Sequence, residues 1–228
     1  MKEVFLSVLA LISISCYAQQ PLNLELKKQL DSILRTDQGI REFLDPQVTD
    51  ERKDTIAQFL NYPRALLDKS KWKIMQKIDS INIEKVEHII EKYGYPGKTL
   101  VGEPENTAVF YVVQHSDKIS KYYKIIENAG KNKELPFRYV AMMLDRKLTS
   151  EGKEQIYGTQ VYMQMVNNPK TGKKEPFEYV MPIKDAKNVN KRRKKAGFDS
   201  TVEDNAQRLG VIYKAYTQRQ INDVINNK

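Results

Sequence analysis

Apolar residues recur at three- and four-residue intervals through most of the chain, the spacing of helices that each bury one stripe. Leu26, Leu30, Ile33 and Leu34 open this pattern, and the segment continues through Asp37 and Gln38 to Arg41. A second helix is predicted over Asp50 to Leu60, and a third opens near Asn82 as N-cap. That third helix buries Val86, Ile89, Ile90 and Tyr93 and stops at Gly94, leaving His88 off the stripe as a surface residue. Leu100-Val101-Gly102 reads as a short extended piece, and Pro104 starts a helix running to His115. Within it, Val109 to Val113 has strand propensity, but its length and the Pro104 start favour a helix buried nearly all round. Ile119, Tyr122, Ile125, Ile126 and Ala129 mark the next helix, closed by Gly130. Pro136 opens another, predicted to bury Phe137, Val140, Ala141, Leu144 and Leu148.

The period then changes to two. Tyr157, Thr159, Val161, Met163 and Met165 alternate with Gly158, Gln160, Tyr162 and Gln164. A turn cluster from Asn167 to Gly172 follows, then a second alternation in Phe177, Tyr179, Met181 and Ile183. This is a β-hairpin near 155–183, and Pro176 and Pro182 place its second strand at an edge. Short helices return at about 186–196 and 201–225. The predicted class is mainly α (α+β): a compact helical domain with one inserted hairpin, covering residues 19–228 without internal repeats.

Residues 1–18 carry a different pattern. Lys2 precedes an almost unbroken apolar run from Val4 to Ser15, and Cys16 and Ala18 stand at the small-residue positions of an export-signal cleavage site. Cleavage after Ala18 is the favoured reading, which makes the protein periplasmic or secreted. The alternative is a lipoprotein anchored through Cys16, although Ser13-Ile14-Ser15 lacks the Leu-like residue of a good lipobox. Cys16 is the sole cysteine among 228 residues, which excludes a disulfide framework and a Cys-based zinc site. No metal and no cofactor is expected. Phosphate-loop enzymes and G-x-S-x-G hydrolases are disfavoured because neither motif occurs.

The formal charge of +9 is local rather than general. Residues 184–195 hold seven Lys and Arg against Asp185 alone, a net of +6. The run Lys191, Arg192, Arg193, Lys194, Lys195 has no interleaved aromatic residue for base stacking, so nucleic acid is not the expected partner. A solvated helix face is the plain reading, and peripheral contact with anionic lipid or cell-wall polymer is the functional one.

Several short polar words stand in a fixed order: Asp37-Gln38-x-x-Arg41, Gly94-Tyr95-Pro96, Leu100-Val101-Gly102-Glu103, Gln114-His115-Ser116-Asp117, Leu144-Asp145-Arg146 and Gln155 to Gln160. Pro182-Ile183 and Arg192-Arg193-x-x-x-Gly197 continue the series. In these words the chain resembles domain-of-unknown-function family 6624, over roughly Leu22 to Gly197. The resemblance implies one domain and directs attention to the polar words; it supplies no reaction.

His115 is the leading single candidate, since an imidazole ending an apolar helix can serve as acid, base or ligand. The plainer alternative is a core or capping histidine with its hydrogen bonds satisfied. Gln114 precedes it, about 100° away around the helix. Asp145 and Arg146 end a buried helix, where Arg146 either complements the helix dipole or grips a ligand carboxylate. Asp37 and Arg41 share a helix face as an i, i+4 pair. Tyr157, Gln160, Gln155 and Gln164 offer polar groups from the hairpin, or its wet face. The main functional expectation is a binding domain for a small polar or peptidic ligand, held between helices and hairpin by Asp37, Arg41, Gln114, His115, Asp145, Arg146, Tyr157 and Gln160. One alternative is a lysozyme-like hydrolase of cell-envelope polymer with Glu151 or Glu154 as its acid. The other is a structural envelope protein.

Overall fold

The computed structural model describes residues 21–168 and 171–226. The export signal expected at 1–18, Cys16 within it, and Pro169 and Lys170 of the hairpin turn lie outside the described residues.

Helix α1 (Leu24–Leu44) starts where the Asn23 side-chain oxygen accepts from the Leu26 amide at 3.0 Å. It buries Leu26, Leu30, Ile33, Ile40 and Phe43. Helix α2 (Asp50–Leu60) follows, capped by Thr49. Helix α3 spans Arg64–Tyr93, with a break in helical geometry at Ser70, so it does not begin at Asn82. Its buried stripe runs Leu67, Ile74, Ile78, Asn82, Val86, Ile89, and Asn82 occupies an interior position of that stripe. A buried asparagine at an apolar position imitates a cap in sequence. Here its amide instead donates to Thr36 Oγ1 of α1 at 3.2 Å.

Helix α4 (Lys98–Val101) takes the place of the expected extended piece, and Gly102, at φ 80°, turns the chain out of it. A single 3-10 turn at Glu105–Thr107 leads into α5 (Ala108–Gln114), with His115 as its C-cap. Ala108, Val109, Phe110, Val112 and Val113 are all buried, as expected of a helix surrounded on most sides.

Helix α6 (Ile119–Lys131) runs past Gly130, which therefore does not close it; the left-handed residue is Lys133, at φ 62°. Gly130 is instead a contact point, where an added Cβ would lie 2.4 Å from Val140 Cγ2 of α7 (Phe137–Ser150). Gly130→Ala should gain about 1 kcal/mol of helix propensity. It should lose about 1–3 kcal/mol to overpacking, for a net lowering of Tm that a thermal melt would show. The buried face of α7 is Val140, Ala141, Met143 and Asp145. Phe137 is exposed and Leu144 and Leu148 are half-buried, because the face is turned toward α5 and α6 by the Val140–Gly130 contact.

Two apolar clusters share α1 and α3. Leu26, Leu30 and Ile33 pack with Val86 and Ile89, α5, and Ile126, Val140 and Met143. Ile40 and Phe43 pack with Leu67, Ile74 and Ile78 and with Ile56 and Leu60 of α2. Between the two lies a polar seam: Thr36, Asp37 and Arg41 from α1, Asp79 and Asn82 from α3.

The hairpin consists of β1 (Val161–Asn167) and β2 (Lys174–Val180), antiparallel from Val161 opposite Val180 to Asn167 opposite Lys174. The alternation expected from Tyr157 therefore begins at Val161, and 155–160 is an irregular loop. Met163 and Met165 are about half exposed, because Tyr216 packs on Phe177 and Tyr179 of the other face of the ribbon. Three helices follow: α8 (Val189–Lys195), α9 (Val202–Arg208) and α10 (Gln218–Ile225). The expected helix over 201–225 is split at Gly210, whose φ is 78°. Val180, Ile183, Val189, Val202, Ala206 and Val211 form a third apolar cluster. The fold is thus mainly α with one antiparallel hairpin, and no described helix is long and apolar enough to cross a membrane.

Candidate functional site

Asp37 and Arg41 stand one turn apart on α1, but they are far from a solvated surface pair. The Asp37 side chain is 1% exposed, and its Oδ2 accepts from Gln38 Nε2 at 2.6 Å. Its Oδ1 lies 3.3 Å from both Arg41 Nη1 and His115 Nδ1. Arg41 Nη1 also donates to the Asp37 carbonyl at 2.8 Å, and Nη2 donates to Asp79 Oδ1 at 2.9 Å. Arg41 Nε points at His115 Nε2 at 3.2 Å. A guanidinium can only donate, so Nε2 is the acceptor and the ring proton sits on Nδ1, facing Asp37. This tautomer is assigned from the partners: a neutral imidazole fixed at both nitrogens between a carboxylate and a guanidinium. His115 caps a helix and orders the seam; neither nitrogen is free to move a proton.

A different group on the same side is unpaired. Arg146 lies on α7 two turns after Tyr139, hence on one face with it and Met142. The Tyr139 ring is 5.8 Å from that of Tyr111, edge to face, and Tyr111 precedes His115 by one turn of α5. The α7 face bearing Tyr139 and Arg146 therefore confronts the α5 face bearing Tyr111, Gln114 and His115. Arg146 is half-buried, yet among the described residues its guanidinium makes no hydrogen bond and no ion pair. Burial, and then the positive charge of Arg41, push its pKa down. Its nitrogens are not sealed off: among the described residues the fully buried side-chain polar atoms without a hydrogen bond are Glu105 Oε2, which still pairs with Lys27, and Asn106 Oδ1. Burial, ahead of the neighbouring Tyr139, pushes the Tyr111 hydroxyl up to about 12, so it stays protonated and able to donate.

Asp145, beside Arg146 in sequence, serves a separate purpose. Its carboxylate is fully buried and accepts from the amides of Ile156 at 2.7 Å, Tyr157 at 3.0 Å and Thr159 at 3.0 Å, and from Thr159 Oγ1 at 2.9 Å. Gln155 is equally buried and bonds the backbone of Gln160 and Met181. Arg193 donates to the carbonyls of Tyr157 and Ser200 and lies 4.4 Å from the centre of the Phe198 ring, while Arg192 holds the carbonyls of Ile156, Lys184 and Asp185. Gly158, at φ 69°, passes so close to Ile183 and Val202 that a Cβ would lie 2.8 and 2.6 Å from them. The loop 155–160 is therefore stapled from every side, with its backbone satisfied by side chains.

Of the residues read as candidates from sequence, Asp37, Arg41 and His115 meet directly, and Gln114 and Arg146 lie on the faces beside them. Asp145, Tyr157 and Gln160 belong to the staple: Tyr157 gives it both backbone groups, and the Gln160 amide bonds Thr159. Glu151 ends α7 in ion pairs with Lys147 and Lys153, which hold its carboxyl at about 2, the reverse of what a general acid needs. Glu154 is exposed. The basic run is not one solvated face, because Arg193 is buried and Arg192 is bound to the backbone; Lys191, Lys194 and Lys195 remain exposed. Asp79, Tyr111 and Tyr139 were not legible as site residues. The seven-residue spacing of Tyr139 and Arg146 was the one available signal, whereas Asp79 meets Arg41 across 38 positions. Among the described residues no group of three His, Cys, Asp or Glu is placed to hold a metal ion.

A surface depression of about 690 Å³ lies elsewhere, between α1 and α3 around Lys28, Lys85, His88 and Lys92. Its rim cations are ordinary solvated lysines, so volume is a weaker guide here than the desolvated charge of Arg146. Comparison with protein families matches residues 25–217 to a family of unknown function, DUF6624. The chain belongs to this family. The DUF6624 match takes in all of the polar seam, the Arg146 face and the staple, and bears out the resemblance carried by the short polar words. Neither the curated proteins nor the solved structures compared with the chain give a match.

Proposed function

We propose that this DUF6624 protein is a binding module for a small anionic ligand, gripped by Arg146 on the face shared with Tyr111, Gln114 and His115. The observation that carries the reading is the guanidinium of Arg146: half-buried, beside a second arginine and without an anionic partner. Removing a cation from water costs free energy unless a counter-charge and hydrogen bonds offset it, and buried charges are accordingly paired. The chain spends its own carboxylates elsewhere, Asp37 and Asp79 on Arg41 and Asp145 on the staple. An external anion is the natural partner for Arg146. The apolar run and cleavage signature of residues 1–18 support an exported protein, which would meet such ligands in the cell envelope or outside the cell. The hydrolase alternative has less support, because the ion pairs of Glu151 with Lys147 and Lys153 hold its carboxyl low, the reverse of what a general acid needs, and Glu154 is exposed.

Arg146→Met tests the reading. The variant should melt at or slightly above the wild-type temperature, by up to about 1 kcal/mol of added stability, since it removes an unpaired desolvated charge and keeps the stem. It should also lose any rise in Tm that carboxylate or phosphate salts give the wild type at fixed ionic strength. A clear loss of stability with an unchanged response to anions would overturn the proposal.

A further inference from the structure

Resting on the reading of Arg146 as an anion site, we infer that the group it recognises is a single carboxylate carried on an apolar, flat body, rather than a phosphate. Asp37 and Asp79 flank Arg41 with two negative charges against its one. His115 is neutral, with Nδ1–H toward Asp37 and Nε2 accepting from Arg41. The groups around Arg146 therefore sum to one negative charge, and with Arg146 itself the cluster is neutral before any ligand enters. A monoanion adds a single negative charge to it, whereas a phosphate monoester, at about −1.5 to −2 near neutral pH, would add up to twice the repulsion.

Donor geometry points the same way. Arg41 commits Nε to His115, Nη1 to Asp37 and Nη2 to Asp79, so it braces the site rather than offering a second open fork. Arg138 lies over the Tyr139 ring, 4.8 Å from its centre, and donates to the Tyr139 hydroxyl at 3.4 Å, so among the described residues of this face the planar fork without a hydrogen bond is that of Arg146, which matches the two coplanar oxygens of a carboxylate. The wall beside the fork is aromatic: the Tyr111 and Tyr139 rings, 5.8 Å apart and edge to face, with Met142 on the same stripe of α7 as Arg146 and the Arg138 guanidinium 4.8 Å from the centre of the Tyr139 ring. Arg41 is thus a positioning residue and Arg146 the binding residue.

Calorimetric titration of the purified protein with benzoate, acetate and inorganic phosphate, at one pH and one ionic strength, tests this. Benzoate should bind about tenfold more tightly than either of the others, and Arg146→Met should abolish its binding. Arg146→Lys, which keeps the charge without the fork, should weaken benzoate by about tenfold as well. Tyr111→Leu should narrow the gap between benzoate and acetate while leaving acetate unchanged. Phosphate binding as tightly as benzoate, still dependent on Arg146, would overturn the carboxylate inference and leave the anion site standing. Equal affinities for benzoate and acetate would overturn the apolar body. No Arg146-dependent binding of any of the three would overturn both this inference and the reading beneath it.

Discussion

Asp145→Ala is expected to destabilise the protein by about 3–5 kcal/mol, the largest effect of any substitution considered. Three backbone amides, those of Ile156, Tyr157 and Thr159, converge on this one carboxylate in a place without solvent access. Alanine would leave all three donors unsatisfied at once, and each orphaned amide carries its own desolvation cost. Asp145→Asn should recover only part of the loss. One amide oxygen can still accept, but the amide NH₂ would face donors and meet them as another donor. Urea denaturation followed by circular dichroism measures the difference. A midpoint close to that of wild type would mean that the loop is held by something other than this carboxylate.

Arg193→Ala is expected to cost about 3 kcal/mol. The side chain is 1% exposed, its donors satisfy the carbonyls of Tyr157 and Ser200, and its guanidinium covers the Phe198 ring at 4.4 Å. Arg193→Met should be milder, since the aliphatic stem still fills the space. Tyr157 links the two predictions: its N–H bonds Asp145 and its C=O bonds Arg193. Once either side releases this peptide, the other has less to hold. The double variant should therefore cost less than the two single losses added together, by roughly 1 kcal/mol or more. Strict additivity would show that the staple consists of two independent pins.

The sequence showed its helices wherever a stripe was apolar throughout, as in α2 and α5. It failed where a polar residue stood in the stripe. Asn82 reads as a cap because asparagine competes with the helical backbone at chain ends, and only Thr36, 46 residues away, makes it tolerable in the interior. Gly130 reads as a terminator until Val140 is seen to need the space. The staple was half legible. Its residues stood out as words, but the purpose of Asp145, Arg192 and Arg193 lies in backbone groups of a distant loop, and backbone groups leave no mark in a sequence. Arg146 was legible as a candidate for a ligand carboxylate; what sequence could not reveal is that the chain gives it no partner of its own.

The polar seam between the two apolar clusters also fixes the registration of α1 against α3. Sliding one helix along the other by a turn, about 5.4 Å, would still bring leucines and isoleucines together. It would also set Asp37 and Asn82 against hydrocarbon with no donor in reach, which oily side chains by themselves would not penalise. Like a lone asparagine in a coiled-coil seam, the Thr36–Asn82 pair and the Asp37–Arg41–Asp79 bracket act as a key cut for one alignment. The position of Arg41, and through it of His115, is thereby tied to the way two long helices meet.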